Sequence, residues 1–198
     1  RLQVALVQAK RNERIVVVMT LDLDNFKTIN DTLGHHVGDL LLKAVAEIMT
    51  NCIRECDTVA RTGGDEFTII LPEISHPLNA AIVANKILYA LSHPFLLEGH
   101  NIQTTISIGI SLFPNDGEDS STLLKNADAA MYRAKERGGN NYQFYSADMG
   151  AHAERRLTLE NDLRLALERG EFVLHYQPQI ATDSGKIIGC EALLRWQH

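Results

Sequence analysis

Carboxylate side chains at two places in the chain have the types and spacing of a metal site for phosphate chemistry. Asp22 lies at the end of a nearly continuous apolar run, and Asp65 and Glu66 directly follow Gly63-Gly64. A carboxylate at the end of a buried strand is costly unless it is paired or binds a metal. Carboxylate oxygens suit Mg²⁺, and two glycines allow a tight turn beside a ligand. If the strands are neighbours, the three carboxylates converge on a metal that would polarise the α-phosphate of a nucleoside triphosphate.

Two features of the same segments also have a purely structural interpretation. Asp24 is placed to cap the helix that follows it. Gly63-Gly64-Asp65, taken alone, is typical of a plain hairpin turn. The residue types by themselves leave both alternatives open.

The elements that must position these residues follow from the periodicity of the apolar side chains. The continuous apolar run of residues 15–23 predicts a buried strand, and the alternation over 101–112 predicts one long strand. The other predicted strands are 58–62, 67–71, 142–145, 171–177 and 186–194, and the predicted helices are 1–12, 25–33, 38–53, 77–92, 122–137 and 148–169. This order predicts an α/β (α+β) sandwich, in which a central mixed β-sheet is flanked by helices.

A change of pattern divides the chain near residue 147. We expect one domain over residues 1–147, a charged linker helix over 148–170, and the first strands of another domain over 171–198.

The composition limits the classes of function. A chain of 198 residues suffices for one sizeable domain and a fragment. The formal net charge of -6 argues against a general nucleic-acid binder, which needs a basic surface. No stretch approaches the ~20 apolar residues of a membrane span. We expect a cytoplasmic domain. Because the chain starts with Arg rather than Met, an upstream sensor or membrane anchor stays open.

Several blocks of sequence, in the same order, resemble the GGDEF family. The blocks are DLDNFKTIND (22–31), GH (34–35), GD (38–39), RTGGDEF (61–67), SIGI (107–110) and ADAAMYRAK (127–135). The resemblance covers roughly residues 1–147. It implies a palm-like fold similar to that of nucleotide cyclases and polymerases. It also implies a diguanylate cyclase that condenses two GTP into cyclic di-GMP and two pyrophosphates, as a homodimer that uses Mg²⁺ or Mn²⁺.

The resemblance assigns the metal site residue by residue. Asp22, the backbone carbonyl of Leu23 and Asp65 are expected to bind the metals. Glu66 is expected to assist metal binding or to activate the ribose 3′-hydroxyl.

It also assigns the nucleotide contacts. Phe26 and Lys27 are expected to contact phosphates, and Lys135 to reach the β- and γ-phosphates. Asn30 and Asp39 are expected to read guanine, whose N1–H and N2–H₂ are donors for an acceptor-only carboxylate. Two alternatives remain: Asp39 as a helix N-cap, and Lys135 as a cation favoured by a helix C-terminus.

The chain departs from the family pattern in two places. The family has an arginine that grips phosphate four residues after the lysine, and this chain has Gly139 there. Arg137 lies two residues earlier, which leaves open whether it substitutes. The opening Asp-x-Leu-Thr-x-Leu-x-Asn-Arg segment of the family is also missing. The chain is therefore interpreted as an active cyclase or, alternatively, as a GTP-binding regulatory module that controls an attached phosphodiesterase.

A second ligand site is implied by Arg54-Glu55-Cys56-Asp57, which matches the family's RxxD inhibitory motif. Arg54 and Asp57 would bind guanine edges of cyclic di-GMP and so mediate product inhibition. The alternative is an i,i+3 ion pair at a helix end. A receptor that acts only through these two residues is a third, less favoured interpretation.

The last residues resemble the opening of an EAL domain, a family that hydrolyses cyclic di-GMP. The matching segments are FVLHYQPQ (172–179) and EALLRW (191–196). The resemblance implies that Glu191 binds metal and that Gln177 and Arg195 contact the dinucleotide. The remaining metal carboxylates and the catalytic lysine are not in this chain, so we expect no hydrolysis from it.

Overall fold

The architecture comes from a computed structural model that describes residues 1–147, 149, 159, 162–163, 165–167 and 169–197. Its helices are α1 (Leu2–Asn12), α2 (Phe26–Leu33), α3 (His35–Cys52), α4 (Leu78–Leu91) and α5 (Ser120–Glu136). Its strands are β1 (Ile15–Leu23), β2 (Thr58–Gly63), β3 (Glu66–Ile74), β4 (Phe95–Leu97), β5 (His100–Ile102), β6 (Ile106–Phe113), β7 (Tyr142–Phe144), β8 (Phe172–Ile180) and β9 (Ile187–Trp196). The contacts divide the chain into two units, Arg1–Gly150 and Ala151–His198.

The first unit is built on a five-stranded sheet with the order β2-β3-β1-β6-β7. Its neighbouring strands are antiparallel except for β6 and β7, which are parallel. This arrangement confirms the predicted α/β class with a central mixed sheet flanked by helices. It places β1, which carries Asp22, in the middle of the sheet between β3 and β6.

Strand β1 is buried on both faces, which explains its continuous apolar run. Val17, Met19 and Leu21 belong to a core cluster shared with α3 and α4. Val16 and Val18 point the other way and belong to a cluster shared with α1 and α5. Since successive side chains of a strand alternate between faces, Asp22 lies on the α5 face of the sheet. Full burial of each such aliphatic side chain contributes roughly 1.5–3 kcal/mol.

Helix α5 packs unusually close to the sheet because the facing side chains are small. On β6, Ser107, Gly109 and Ser111 lie opposite the even-numbered residues of β1 and so point toward α5. A Cβ atom at Gly109 would overlap the backbone of Ala127 and Met131 in α5. The hydroxyl of Ser111 donates to the carbonyl oxygen of Leu123 at 2.8 Å.

The predicted long strand over residues 101–112 is wrong. The segment is divided into two strands, β5 and β6, and residues 103–105 between them belong to neither. Strand β5 pairs instead with β4, which was not predicted, in a small antiparallel hairpin whose turn holds Glu98 and Gly99 at φ 48° and 81°. The partner strand changes within this segment: β5 pairs with β4, whereas the N–H of Asp24 donates to the carbonyl of Thr105 at 2.9 Å and so continues the β1–β6 register.

The second unit, considered by itself, contains an antiparallel hairpin of β8 and β9. The predicted strands over 171–177 and 186–194 correspond to these two strands. The predicted linker helix over 148–170 falls mostly outside the described residues. Among the helices that the structure describes, none has the length and apolar character to cross a membrane.

Candidate active site

One cavity of about 500 Å³ lies at the end of β1, next to the start of α2 and the last turn of α5. It brings together six residues that the sequence assigned to metal and phosphate binding: Asp22, Leu23, Phe26, Lys27, Asp65 and Lys135. These residues come from four different parts of the chain. They meet because the pairing of β1 with β3 and the packing of α5 on β1 bring them to the C-terminal end of β1.

Asp22 is the most buried charged group of this cavity, with 7% of its surface exposed. Its Oδ1 atom lies 2.7 Å from Nζ of Lys135, which α5 places over the same face of the sheet. Burial raises the pKa of Asp22, and the charges of Asp65 and Glu66 raise it further, while Lys135 opposes the shift. The carboxylate is thus held in a position where a cation is needed.

The hairpin of β2 and β3 positions Asp65 and Glu66. The guanidinium of Arg61 donates to the carbonyl oxygen of Gly64 at 2.9 and 2.7 Å and so holds the turn. The N–H of Leu23 donates to the carbonyl of Asp65 at 3.4 Å, and Glu66 lies directly opposite Asp22 in the strand register. The segment therefore does form a hairpin turn, with Gly63 at the end of β2 and Gly64 in the turn. This turn brings both carboxylates close to the C-terminal end of β1.

The donor set suits a hard divalent cation. Across the described ranges, no three His, Cys, Asp or Glu side chains are placed to hold a metal together, so the three carboxylates predicted to converge do not form such a group. Two carboxylates, Asp22 and Asp65, and the backbone of Leu23 nevertheless line one cavity. Mg²⁺ is usually bound by one or two carboxylates, waters and substrate phosphates rather than by an all-protein cage. The residues present therefore fit Mg²⁺ or Mn²⁺.

The start of α2 supplies donors for an anion. Phe26 and Lys27 are its first two residues, and its N-cap residue Asn25 makes no side-chain cap hydrogen bond in the described structure. The first N–H groups of a helix have no intrahelical acceptor, and the helix dipole favours negative charge there. Lys27 is exposed and lines the same cavity, so this end suits a phosphate.

Asp24 has a role that the sequence did not reveal. The hypothesis that it caps α2 is wrong, because Asn25 is the N-cap residue. Its carboxylate accepts instead from Oγ1 of Thr105 at 2.6 Å, Oγ of Ser107 at 2.7 Å and the N–H of Asn140 at 3.1 Å. These partners lie far away in the sequence, so no local pattern indicated them. Asp24 thereby ties β1, β6 and the turn after α5 together.

The turn after α5 places Gly139 against the carboxylate of Asp24. Gly139 has a φ of 70°, and a Cβ atom there would lie 2.9 Å from Oδ2 of Asp24, so that a side chain at this position requires Asp24 to shift. Arg137 is not among the residues that line the cavity, and its NH1 donates to Oε1 of Gln143 at 2.7 Å. The cavity therefore has Lys135 as its cation on this wall.

The predicted guanine pair is not gathered in this cavity. Oδ1 of Asn30 is buried without a hydrogen-bond partner among the described residues, and it lies against Gly38. Asp39 is exposed and lines a separate groove of about 450 Å³ between α3 and the β2–β3 hairpin. It is not an N-cap residue, because α3 begins at His35. An orphaned acceptor at Asn30 suits a donor from a base edge.

The residues of the inhibitory motif are bonded to each other. Asp57, whose side chain is 1% exposed, accepts from the N–H of Arg54 at 2.8 Å, from Nε at 3.3 Å and from NH2 at 3.1 Å. The hydrogen bond to Asp57 raises the pKa of Arg54. The i,i+3 ion pair is thus present, and the guanidinium is half exposed at its outer edge.

On the second unit, Gln177 of β8 lies directly opposite Glu191 of β9. Both are exposed, as is Arg195, whose NH1 donates to the carbonyl of Leu194 at 3.0 Å.

Comparison with known proteins follows the division of the chain. Residues 1–141 match the family model described as diguanylate cyclase, GGDEF domain. The chain belongs to the GGDEF family. Residues 160–198 match part of the EAL domain family. The first unit is therefore a GGDEF domain, and an incomplete EAL segment follows it.

Three known proteins illustrate the similarity of this GGDEF domain. The bifunctional diguanylate cyclase/cyclic di-GMP phosphodiesterase MucR of Pseudomonas aeruginosa is 48% identical over 198 residues, which are 100% of this chain and 29% of that protein. The cyclic di-GMP phosphodiesterase NbdA of the same species is 43% identical over 92% of this chain and 23% of its own length. The X-ray structure of an EAL/GGDEF domain protein from M. capsulatus is 53% identical, with a TM-score of 0.67, over 74% of this chain and 94% of that one. The chain thus spans less than a third of the two full-length relatives.

Proposed function

We propose that this GGDEF domain is a diguanylate cyclase that condenses two GTP into cyclic di-GMP and two pyrophosphates with Mg²⁺ or Mn²⁺. The observation that carries the proposal is the single cavity that holds Asp22, Asp65 and Lys135 beside the start of α2. Carboxylates for a metal and donors for a triphosphate meet there, which is the combination that phosphoryl and nucleotidyl transfer need.

Each residue has a distinct task in this proposal. Asp22, Asp65 and the carbonyl of Leu23 hold the metal, which when bound neutralises charge at the α-phosphate and favours ionisation of the attacking hydroxyl. The N–H groups of Phe26 and Lys27 bind phosphate oxygens at the helix start. Glu66, at the first position of β3, is exposed beside the cavity and accepts the proton of the ribose 3′-hydroxyl.

The reaction needs two such domains. Each GTP provides the 3′-hydroxyl that attacks the α-phosphate of the other, so two loaded cavities must face each other. The domain contributes mainly orientation, since bringing the two nucleotides together removes a large entropic barrier. The cavity is open to solvent and lies at the end of the central strand β1, as this face-to-face arrangement requires.

A specific observation favours a second candidate function, a GTP-binding regulatory module for an attached phosphodiesterase. Gly139 stands where the family has the arginine that grips phosphate, and Arg137 bonds Gln143 outside the cavity. A missing charge-assisted hydrogen bond weakens phosphate binding by about 1.5–3 kcal/mol, which is a factor of ten or more. Such a loss would lower turnover before it abolished binding.

Product analysis separates the two functions. Concentrated protein is incubated with GTP and Mg²⁺, and the nucleotides are separated by chromatography. We expect cyclic di-GMP and pyrophosphate from the parent protein and neither from Asp65→Ala, which removes one carboxylate of the cavity.

The same samples provide the deciding control. GTP binding is measured by equilibrium dialysis with Ca²⁺ in place of Mg²⁺. Binding without product at high protein concentration would overturn the cyclase proposal in favour of the regulatory module.

A further inference from the structure

Lys135 occupies a position in this structure that the proposed chemistry gives to a metal. Its Nζ atom lies 2.7 Å from Oδ1 of Asp22, which is an ion pair with the carboxylate that is to hold the metal. The side chain of Asp22 is 9% exposed and that of Lys135 is 36% exposed. The buried partner is fixed by β1, whereas the lysine extends from the last turn of α5 into the open cavity.

We infer that Lys135 exchanges partners as the site fills: it neutralises Asp22 when no metal is bound, and it moves to the triphosphate when a metal takes Asp22. The inference rests on the proposed function, because it uses the same metal and phosphate sites. Lys135 occupies Oδ1 of Asp22, and a divalent cation on the same carboxylate would repel the ammonium group. Metal binding therefore weakens the ion pair and favours release of the lysine.

The other carboxylates that line the cavity are less available to the displaced ammonium. Asp65 is assigned to the metal, and Asp24 already accepts from Thr105, Ser107 and Asn140. Gly139 contributes no side chain, and Arg137 bonds Gln143. A bound triphosphate is then the strongest acceptor within the cavity that Lys135 lines.

This exchange couples the two ligands. Without triphosphate, a metal on Asp22 weakens the ion pair, and the lysine gains no phosphate in exchange. With triphosphate present, the released lysine gains charge-assisted hydrogen bonds. Each ligand therefore raises the affinity for the other by the same factor. The exchange thus favours binding of the metal together with the nucleotide over binding of a divalent cation alone.

Two variants of the whole chain test the inference. Lys135→Met removes the lysine that pairs with Asp22. Lys27→Met is the matched control, since it removes the same charge from the same cavity at a residue of α2. Mn²⁺ retained by the protein is measured by equilibrium dialysis, first alone and then with inorganic tripolyphosphate, and the Mn²⁺ held by tripolyphosphate in the protein-free compartment is subtracted. Tripolyphosphate carries no guanine and no ribose hydroxyl, so the readout does not depend on turnover.

Without tripolyphosphate, Lys135→Met is expected to bind Mn²⁺ at least about fivefold more tightly than the parent, and Lys27→Met to change the affinity less. Saturating tripolyphosphate is expected to tighten Mn²⁺ binding by the parent and by Lys27→Met, and clearly less by Lys135→Met. Lys135→Gln, read in the same way, replaces Lys135→Met if the latter does not show the parent's circular dichroism spectrum.

Unchanged or weaker Mn²⁺ binding by Lys135→Met would overturn the inference, as would equal effects of the two variants, which would indicate only the loss of cavity charge. Failure of the cyclase proposal has a different signature: tight, coupled Mn²⁺ and tripolyphosphate binding by a protein that makes no cyclic di-GMP.

Discussion

Gly139 shows how a single residue sets the shape of one wall of the cavity. Its left-handed backbone favours glycine over any residue with a Cβ atom. The carboxylate of Asp24 occupies the space that such a Cβ atom would enter, and it is fixed by donors from β6 and from Asn140. Both the backbone conformation and the position of Asp24 thus favour glycine at position 139, where the family has arginine.

Gly139→Ala is expected to destabilise the domain by about 1–3 kcal/mol through backbone strain, with an added cost from the contact with Asp24. Gly138→Ala is the matched control, because Gly138 also has a positive φ, 100°, but no atom lies within 4 Å of its Cβ position. Urea denaturation measures both. A loss in Gly139→Ala no larger than that in Gly138→Ala would contradict a steric role for Asp24.

The sequence predicts the residues of the cavity well and their connections poorly. Asp22, Asp65 and Lys135 follow from motifs, and the structure does gather them. The role of Asp24 depends on donors that lie 81, 83 and 116 residues further along the chain. Such contacts exist only once the sheet has formed, so neither spacing nor residue type indicates them.

At the scale of elements, an apolar pattern predicts the type of an element correctly where that element packs its apolar side chains into the core along its whole length. Strand β1 is such a case, and so is α3. Alternation failed over residues 101–112, because the first part pairs with β4 and the last part with β1, and a pattern of period two does not show where the partner strand changes. Glu98 and Gly99 form the turn of the β4–β5 hairpin, and both have a positive φ. In the sequence, Gly99 is the residue that indicates a turn there, because glycine adopts a positive φ readily.

The N-terminus of α5 provides a pH-dependent test at this scale. The carboxylate of Asp119 accepts from the N–H groups and hydroxyls of Ser121 and Thr122, and these hydrogen bonds hold its pKa below the ordinary value. A lowered pKa means that the cap stabilises the fold above the ordinary aspartate value of about 3.9, and that this contribution is lost as the pH falls further.

Asp119→Ala is therefore expected to lower the melting temperature at pH 7, and the gap to the parent should narrow below about pH 3.9. Thermal melts followed by circular dichroism measure it, with Asp119→Asn as a cap that carries no charge at any pH. A gap of the same size at pH 7 and at pH 3 would show that the carboxylate charge contributes nothing.

At the scale of the whole molecule, Arg54 and Asp57 follow the C-terminal end of α3, and neither residue lines the cavity that holds Asp22 and Asp65. Inhibition through this pair would act by linking domains rather than by blocking GTP. The ion pair does not exclude it, because Asp57 keeps the N–H of Arg54 as a donor when the guanidinium turns to a ligand.

If the cyclase proposal holds, Arg54→Ala is expected to raise the cyclic di-GMP concentration for half-inhibition by roughly tenfold or more, since a bidentate guanine contact contributes about 1–3 kcal/mol. Initial rates with added cyclic di-GMP measure it. Arg54→Lys separates charge from geometry, because lysine has no planar fork. Inhibition of Arg54→Ala at the parent's concentration would exclude this pair as the inhibitory site.

Gly109 sets the distance between α5 and the sheet. Helix α5 rests on the bare backbone of β6 at this residue, opposite Thr20 of β1, and the same helix carries Lys135 over Asp22. A methyl group at position 109 would overlap the backbone of Ala127 and Met131, and backbone atoms cannot move aside as the end of a side chain can. Helix α5 would have to move away from the sheet, and Lys135 would move with it. The ion pair between α5 and β1 thus depends on a glycine in a third element, β6.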